Sequence, residues 1–360
     1  MTTRDRIVTV FAGGQPDHLP NVEFGYWDET LMLWHDEGLP DEISSDAAAE
    51  EYFGLEGVTI FTEVPLVNGL HPRFNREILE EKGDRTIIRD EEGNICEVLL
   101  GRSSMPRYIQ FGLRTRADLV RLKRERLDPD TPGRIGDLEG ALAASRDSGR
   151  PLVINAGSLY GWLRNWMGVE GLSYALMCDR SWVEEMMDHL TFLTLTLFER
   201  ALPLVPVDIA WWWEDMCYNR GPLISPRMFR EMMVPRYEQI TRSLKRHGVQ
   251  TNVLDCDGRI HELVPGWLDA GITCMFPLEV AHTDAFELRE AYGDRLLLLG
   301  GVDKRALIAG KDGIDREVER LARLISRGRY IPCVDHRVPA DVTLENYRYY
   351  LEKKKALLEI

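Results

Sequence analysis

Apolar residues along the chain gather in short runs, each followed by a polar or glycine cluster and then by a stretch with helical spacing. Eight of these runs read as candidate strands: Leu19 to Phe24, Val58 to Thr62, Leu152 to Ala156, Val207 to Trp213, Val249 to Leu254, Ile272 to Pro277, Leu296 to Leu299 and Tyr330 to Val334. They are rich in β-branched or aromatic residues and too short to be helices. Amphipathic helices are predicted between many of them, over Trp182 to Leu197, Pro226 to Leu244, Ile260 to Leu268 and Ile314 to Ile325. Strands that alternate with helices imply a parallel sheet, and eight such units are the number that closes a (β/α)8 TIM barrel. The stretch from Pro65 to Arg150 is too long for one crossover. Inside it, Thr86 to Leu100 reads as a β-hairpin turning at Glu91 to Asn94, so the stretch is expected to be an insertion after strand 2 that also carries a helix near Pro132 to Ser148. A last helix, Leu344 to Leu358, would close the ring. With no internal repeat and no Pro/Gly/Ser linker, residues 1–360 are expected to form one α/β barrel domain, with 65–150 inserted in it.

Composition narrows the partners. The chain has 360 residues, 44% of them hydrophobic, enough for a sizeable core, and 59 acidic against 44 basic side chains for a net charge of −15. Such an excess repels phosphate backbones and anionic lipid, so neither nucleic acid nor a membrane surface is expected, and a neutral, cationic or metal-chelated small molecule is. The six cysteines are scattered with no CxxC pair, the pattern of a reducing compartment. The N-terminus has charges at Arg4, Asp5 and Arg6, and no apolar run approaches the roughly 18 residues of a membrane span. A cytoplasmic protein is expected.

Barrel enzymes place their chemistry where the strands end. Here those positions hold mostly acids: Glu63 after strand two, Glu214 and Asp215 after strand four, Asp255 and Asp257 after five, Glu279 after six, and Asp335, His336 and Arg337 after eight, with Gly300, Gly301 and Asp303 after seven. Strand one ends near Glu23 and Tyr26, and strand three at Asn155, Gly157, Ser158 and Tyr160. Clustered carboxylates raise one another's pKa, so they call for a bound metal, a bound cation or a shared proton used in acid/base catalysis. Taken singly, an acid at such a position is more often a helix cap or a solvated end, and Asp303 before Lys304 reads as an N-cap. In VLDCDG (Val253 to Gly258), period-two alternation sends Asp255 and Asp257 to one side and Cys256 to the other. Among eight histidines, His336 alone directly follows a strand and precedes a Pro-bounded loop. Asp255, Asp257 and His336 would have the three-ligand count of a catalytic zinc site. WWWEDM (Trp211 to Met216) sets three tryptophans before two acids, and with Tyr160, Trp162 and Trp166 they could wall a flat, methyl-bearing or cationic ligand, although barrel packing accounts for at least one of them. No P-loop, GxGxxG, HExxH or GxSxG is present.

These segments resemble a known family. LLGGVDKRAL (Leu298 to Leu307) is similar to the GN-x-D-P stretch of uroporphyrinogen decarboxylase, and DHRVPADVTLEN (Asp335 to Asn346) to its GHG-x-x-P stretch. Gly221 to Ile240 and Pro151 to Gly171 extend the similarity over most of the chain. The resemblance implies a (β/α)8 barrel and two activities: cofactor-free porphyrinogen decarboxylation, or zinc-dependent methyl transfer between a corrinoid and a thiol. The decarboxylase aspartate position reads Phe61-Thr62-Glu63, and His336 matches the active-site histidine. The arginine-bearing stretch that holds substrate carboxylates reads NVEFGYW (Asn21 to Trp27), without an arginine, which is electrostatically wrong for a substrate with many carboxylates. WDETLMLWHDEGLP (Trp27 to Pro40) is closer to the methyltransferases of methylcobamide:coenzyme M type. Their His-x-Cys-Gly motif with a later Cys reads Asp255-Cys256-Asp257-Gly258 with His336, a harder and less thiophilic ligand set.

The leading expectation is thus a methyltransferase acting with a corrinoid supplied by a partner protein, assisted by zinc or another divalent metal on Asp255, Asp257 and His336. Glu63, Glu214, Asp215 and His336 are the expected catalytic residues, and Tyr160, Trp162, Trp212, Glu279, Gly301 and Arg337 the expected substrate contacts. A metal-free decarboxylase using Glu63 and His336 is the alternative, and a non-catalytic barrel that binds a corrinoid or methylated ligand is the second. Analogy with the superfamily adds a homodimer.

Overall fold

A computed structural model of the chain describes residues 1–57, 62–99 and 106–359. In chain order its strands are β1 (Thr62–Glu63), β2 (Glu77–Lys82), β3 (Arg85–Arg89), β4 (Ile95–Leu99), β5 (Arg107–Gln110), β6 (Leu152–Gly157), β7 (Ile209–Trp213), β8 (Cys217–Tyr218), β9 (Gly221–Pro222), β10 (Thr251–Asp255), β11 (Cys274–Phe276), β12 (Leu297–Leu299) and β13 (Tyr330–Ile331). Seven of them form one sheet in the order β1-β6-β7-β10-β11-β12-β13, and every pairing in it is parallel. This is the α/β architecture that the alternating pattern predicts. Of the run Val58 to Thr62, only Thr62 lies within the described residues.

The first predicted run is corrected. Among the described residues, Leu19 to Phe24 makes a single parallel bridge, Val22 to Gly57, and just beyond it Tyr26 bridges Val338, with no regular ladder. Pro20 has no N–H to give, and Val22 N–H turns back to the Pro20 carbonyl (3.2 Å). The segment still bridges the two flanks of the sheet, through Glu23 N–H to Gly57 O (2.9 Å) and Val338 N–H to Gly25 O (2.8 Å).

Between β1 and β6, β2 to β5 form a four-stranded antiparallel sheet. Its central pair, β3 and β4, falls on the predicted hairpin, of which Leu100 lies outside the described residues, and turns through Asp90 to Asn94, where the Asp90 carboxylate takes the N–H groups of Glu92 and Asn94. The helix expected near Pro132 to Ser148 occupies Leu138–Ser148, capped by Asp137.

Two cores follow from the period-two alternation of the strands. A larger one lies between the sheet and its helices and holds Ile154, Trp212, Leu254, Met275, Leu298 and Tyr237. A smaller one fills the inside of the curled sheet with Val22, Val153, Ile209, Val253, Cys274, Phe276, Leu299 and Cys333. Its lower end is plugged by Ile7, Val10 and Phe11 of the helix Thr3–Phe11, which a Thr2/Asp5 capping box starts. The predicted helix from Pro226 runs to Arg246, but as Pro226–Met228, a π-turn over Phe229–Met233 and Val234–Arg246. Pro235 cannot donate to the preceding turn, and the wider π-turn accommodates its ring.

A fully buried ion pair joins the two ends of the chain. Lys354, on the last helix Leu344–Leu358, donates to Glu23 Oε1 (2.7 Å) and to Val22 O (2.6 Å). Tyr350 OH (2.8 Å) and Val334 N–H (3.0 Å) complete the shell of Glu23. Removing one partner of such a pair leaves an uncompensated charge in the core. Lys354→Met is therefore expected to lower unfolding stability by about 3–5 kcal/mol in denaturant titration. A loss below about 1 kcal/mol would show that the pair does not hold the ends together.

Candidate active site

At the C-terminal end of the parallel sheet the alternation decides which side chains face the mouth. Trp211 and Phe24 pack on Phe276 from inside, with ring centroids 5.0 and 4.6 Å from it, and Arg164 lies over Trp213 at 5.3 Å. Trp212, expected at the ligand wall, points the other way. It is fully buried against Tyr237, its indole N–H on Asn252 Oδ1 (3.2 Å), because it sits one residue out of phase with Trp211 and Trp213.

Asp255 pairs in register with Trp213 and Phe276 and takes a hydrogen bond from the Trp211 side chain. Part of its surface meets the open mouth, yet protein surrounds it. Desolvation first, then the charges of Asp257 and Asp215, push its carboxyl well above the usual range. Cys256 faces the helices, as the alternation predicts, and burial holds its thiol well above the ordinary value. Asp257 meets His336, with Oδ2 3.4 Å from Nε2. The His336 ring stacks on Trp27 (5.6 Å) and leans on Phe24 (5.4 Å).

The expected zinc ligands do not fit a three-ligand site as they stand. Asp257 and His336 come together, whereas Asp255 is held by Trp211. Among the described residues no three of His, Cys, Asp and Glu are grouped so that they could hold a metal ion.

Glu214 and Asp215 are held by the protein itself. Glu214 is fully buried and accepts from Ser158 Oγ (3.0 Å), the N–H groups of Leu159 (2.8 Å), Tyr160 (2.7 Å) and Gly161 (3.2 Å), and Tyr237 OH (2.7 Å). It thereby caps the helix Gly161–Cys178, neutralises the positive end of its dipole and fixes the loop after β6. Burial raises its carboxyl above the usual value, against the pull of these donors. In this setting Glu214 is a positioning residue. Asp215 has a left-handed φ of 44° and is clamped by Arg164, whose Nη1 donates to its carbonyl (2.6 Å) and to Oδ2 (2.7 Å). Strain of this kind persists only where neighbours over-determine it. Sequence reading missed Arg164, and one turn of helix after Tyr160 was the available signal. Tyr160 is buried, its hydroxyl has no partner among the described residues, and burial pushes that hydroxyl up to about 12.

On the other flank, Lys304 Nζ bonds Glu279 (3.1 Å) and lies 3.7 Å from Asp335. Asp335 accepts from the N–H groups of Val280 (2.9 Å) and Lys304 (3.2 Å), and desolvation lifts its carboxyl to about 6. Gly300 and Gly301 let β12 approach the turn after β11: a Cβ at Gly300, where φ is +107°, would lie 2.0 Å from the Pro277 carbonyl. Gly301 itself donates to that carbonyl (2.9 Å). Asp303 caps the next helix, as expected. Arg337 is tied to Tyr26 O and Asp46 (2.7 Å), so it anchors the segment after Phe24. Arg164, Lys304 and Arg337 are thus each engaged with an internal acid.

Glu63 and Trp162 lie on the β1/β6 side, around a cavity of about 270 Å³ lined also by Asn68, Glu92, Asn155 and Trp166. Larger clefts of about 510 and 440 Å³, around Asn252, Thr273 and Asp208, open at the opposite ends of the strands, where this architecture does not place chemistry.

Two stability measurements probe this geometry. Glu214→Gln places an amide NH2 against converging donors and should cost about 2–4 kcal/mol; a neutral effect in denaturant titration would remove the capping role. Asp335 binds its proton more tightly folded than unfolded, so its contribution falls as pH rises from the unfolded value of 3.8 through about 6. Wild type should lose about 3 kcal/mol relative to Asp335→Asn between pH 3 and 7, and a flat difference would contradict it.

Comparison with known proteins follows the same outline. A search of curated proteins finds no match. Among solved structures, a methyltransferase from Methanosarcina mazei is similar over 99% of this chain and 99% of its own, with a TM-score of 0.64 and 15% sequence identity, a likeness of fold. Residues 208–357, which contain β7, β10 to β13, Asp215, Asp255, Asp257 and His336, match the profile of the family described as Uroporphyrinogen decarboxylase (URO-D). The chain therefore carries a uroporphyrinogen decarboxylase family segment within a fold that it shares, along its whole length, with a methyltransferase.

Proposed function

We propose that the chain is an enzyme that moves a methyl group between a methylated corrinoid, carried by a partner protein, and a small acceptor. Its scaffold is one domain, a closed (β/α)8 barrel in which the Leu19 to Phe24 segment serves as the first strand and 65–150 is an elaboration. The bridges from Val22 to Gly57 and from Tyr26 to Val338 support closure.

The observation that carries the reading is the Asp257–His336 couple, 3.4 Å apart, beside the aromatic surfaces of Phe24 and Trp27. In methyl transfer the acceptor's lone pair forms a bond to the methyl carbon. The bond to the donor breaks with its electron pair left on the donor, and the acceptor's own proton must leave. In this reading His336, with Asp257 beside it, takes that proton. Burial first, then the charges of Asp257 and Asp215, hold the Asp255 carboxyl above its usual range. The corrinoid, when bound, supplies the methyl group. No step is assigned to a metal.

The decarboxylase alternative has less support. The acid beside His336 is Asp257, with Glu63 on the β1 side of the mouth, and Arg164, Lys304 and Arg337 are already engaged, which disfavours a polycarboxylate.

Incubation with methylcobalamin and a panel of thiol, amine and alcohol acceptors, read by mass spectrometry, tests the proposal. At least one acceptor should be methylated, and Asp257→Asn and His336→Ala should each slow transfer by about 100-fold or more. Absence of any methylated acceptor, or transfer indifferent to both substitutions, would sink it.

A further inference from the structure

Asp257 and His336 meet from two different loops, and among the described residues no hydrogen bond holds either side chain. Their spacing is therefore set by the rings packed on His336 and by the segments that carry the two residues. Those segments converge on Lys304. Its Nζ lies 3.1 Å from Glu279 Oε1 and 3.7 Å from Asp335 Oδ1, and its backbone N–H donates to that same Asp335 oxygen (3.2 Å). The other Glu279 oxygen accepts the N–H of Gly258 (3.2 Å), the residue after Asp257. Asp335 precedes His336, and its second oxygen accepts the N–H of Val280 (2.9 Å). One ammonium group thus joins the loop after β10, which carries Asp257, to the segment after β13, which carries His336.

The turn at Gly258 has little freedom beyond this link. Its φ is +78°, a Cβ there would lie 2.9 Å from the Tyr218 backbone, and its carbonyl accepts from Thr283 Oγ1 (2.7 Å). Lys304 itself stands at the first position of the helix Lys304–Ile308, where a cation opposes the helix dipole. Two carboxylates are what favour it there. The side chains of Lys304, Glu279 and Asp335 are only 22%, 19% and 1% exposed, so solvent screens these charges weakly. Without the ammonium group, the two acids would repel each other and the loops they hold.

We propose that Lys304 is a positioning residue for the Asp257–His336 couple: by bridging Glu279 and Asp335 it holds the two loops in the register that sets Asp257 Oδ2 beside His336 Nε2. It acts through Gly258 on one side and through Asp335 on the other. The inference rests on the reading of the couple as the proton-accepting centre of methyl transfer.

Nitrogen-15 NMR of the imidazoles in the full chain, at about pH 9 where an ordinary imidazole is neutral, reads the couple without turnover. A carboxylate beside Nε2 favours the tautomer with its proton there. Asp257→Ala should therefore move the His336 signals, assigned through His336→Ala, toward the Nδ1–H form, and Lys304→Met should move them the same way. Glu279→Ala, which cuts the link at Gly258, should do likewise, and Lys304→Arg should keep most of the wild-type signal, with thermal unfolding confirming that each variant is folded. In the methylcobalamin assay Lys304→Met should lower kcat about tenfold or more with KM little changed. His336 signals unmoved in folded Lys304→Met and Glu279→Ala, equal movement of the His189 and His247 signals, or an unchanged kcat would each overturn the role. A wild type that methylates no acceptor would remove the methyl-transfer reading alone, and the NMR comparison would still decide whether Lys304 holds the couple.

Discussion

The curled sheet depends on a contact between residues more than three hundred positions apart. Glu23 and Lys354 meet fully buried, and each satisfies the other while Tyr350 and the Val334 N–H fill further acceptor sites. Such a pair adds little net stability over apolar groups of the same size, since desolvation of the two charges offsets their attraction. Its effect is to make other arrangements expensive: any register that separates the ends leaves a charge in the core. The first segment is thereby held between Gly57 and Val338.

The same logic governs the acidic mouth. An excess of carboxylates at the ends of the strands would repel itself, and the protein resolves this one acid at a time. Glu214 becomes a helix cap with five donors, Asp215 is clamped by Arg164, Glu279 and Asp335 share Lys304, and Asp46 holds Arg337. Asp255 is left to burial and to a single indole donor. What remains facing the mouth is the Asp257–His336 couple. The positive charges that a polyanion would seek are turned inward.

Much of the fold was legible in the chain itself. Strands on a parallel sheet buried on both faces are nearly continuous apolar runs, so six of the eight predicted runs coincide with observed strands, and the hairpin near Glu91 declared itself through its turn residues. The helix Thr3–Phe11 escaped notice although its Thr2/Asp5 capping box was readable. The strands flanking the hairpin, β2 and β5, are exposed throughout and gave no alternation to read.

For the site, local alternation was enough to separate Asp255 from Cys256 and to mark His336 at the end of its strand, because both depend on neighbours one or two residues away. It could not say that Trp212 turns to the helices, that Glu214 is consumed as a cap, or that Arg164 locks Asp215. Those outcomes depend on the phase of each strand in the curled sheet and on donors arriving from other elements: Leu159 to Gly161, Tyr237, Lys304. Residue types and spacing set which groups stand at the strand ends. Only packing decided which of them are neutralised by the protein and which still face solvent, because the energy of a buried charge is set by the partners that tertiary structure brings to it.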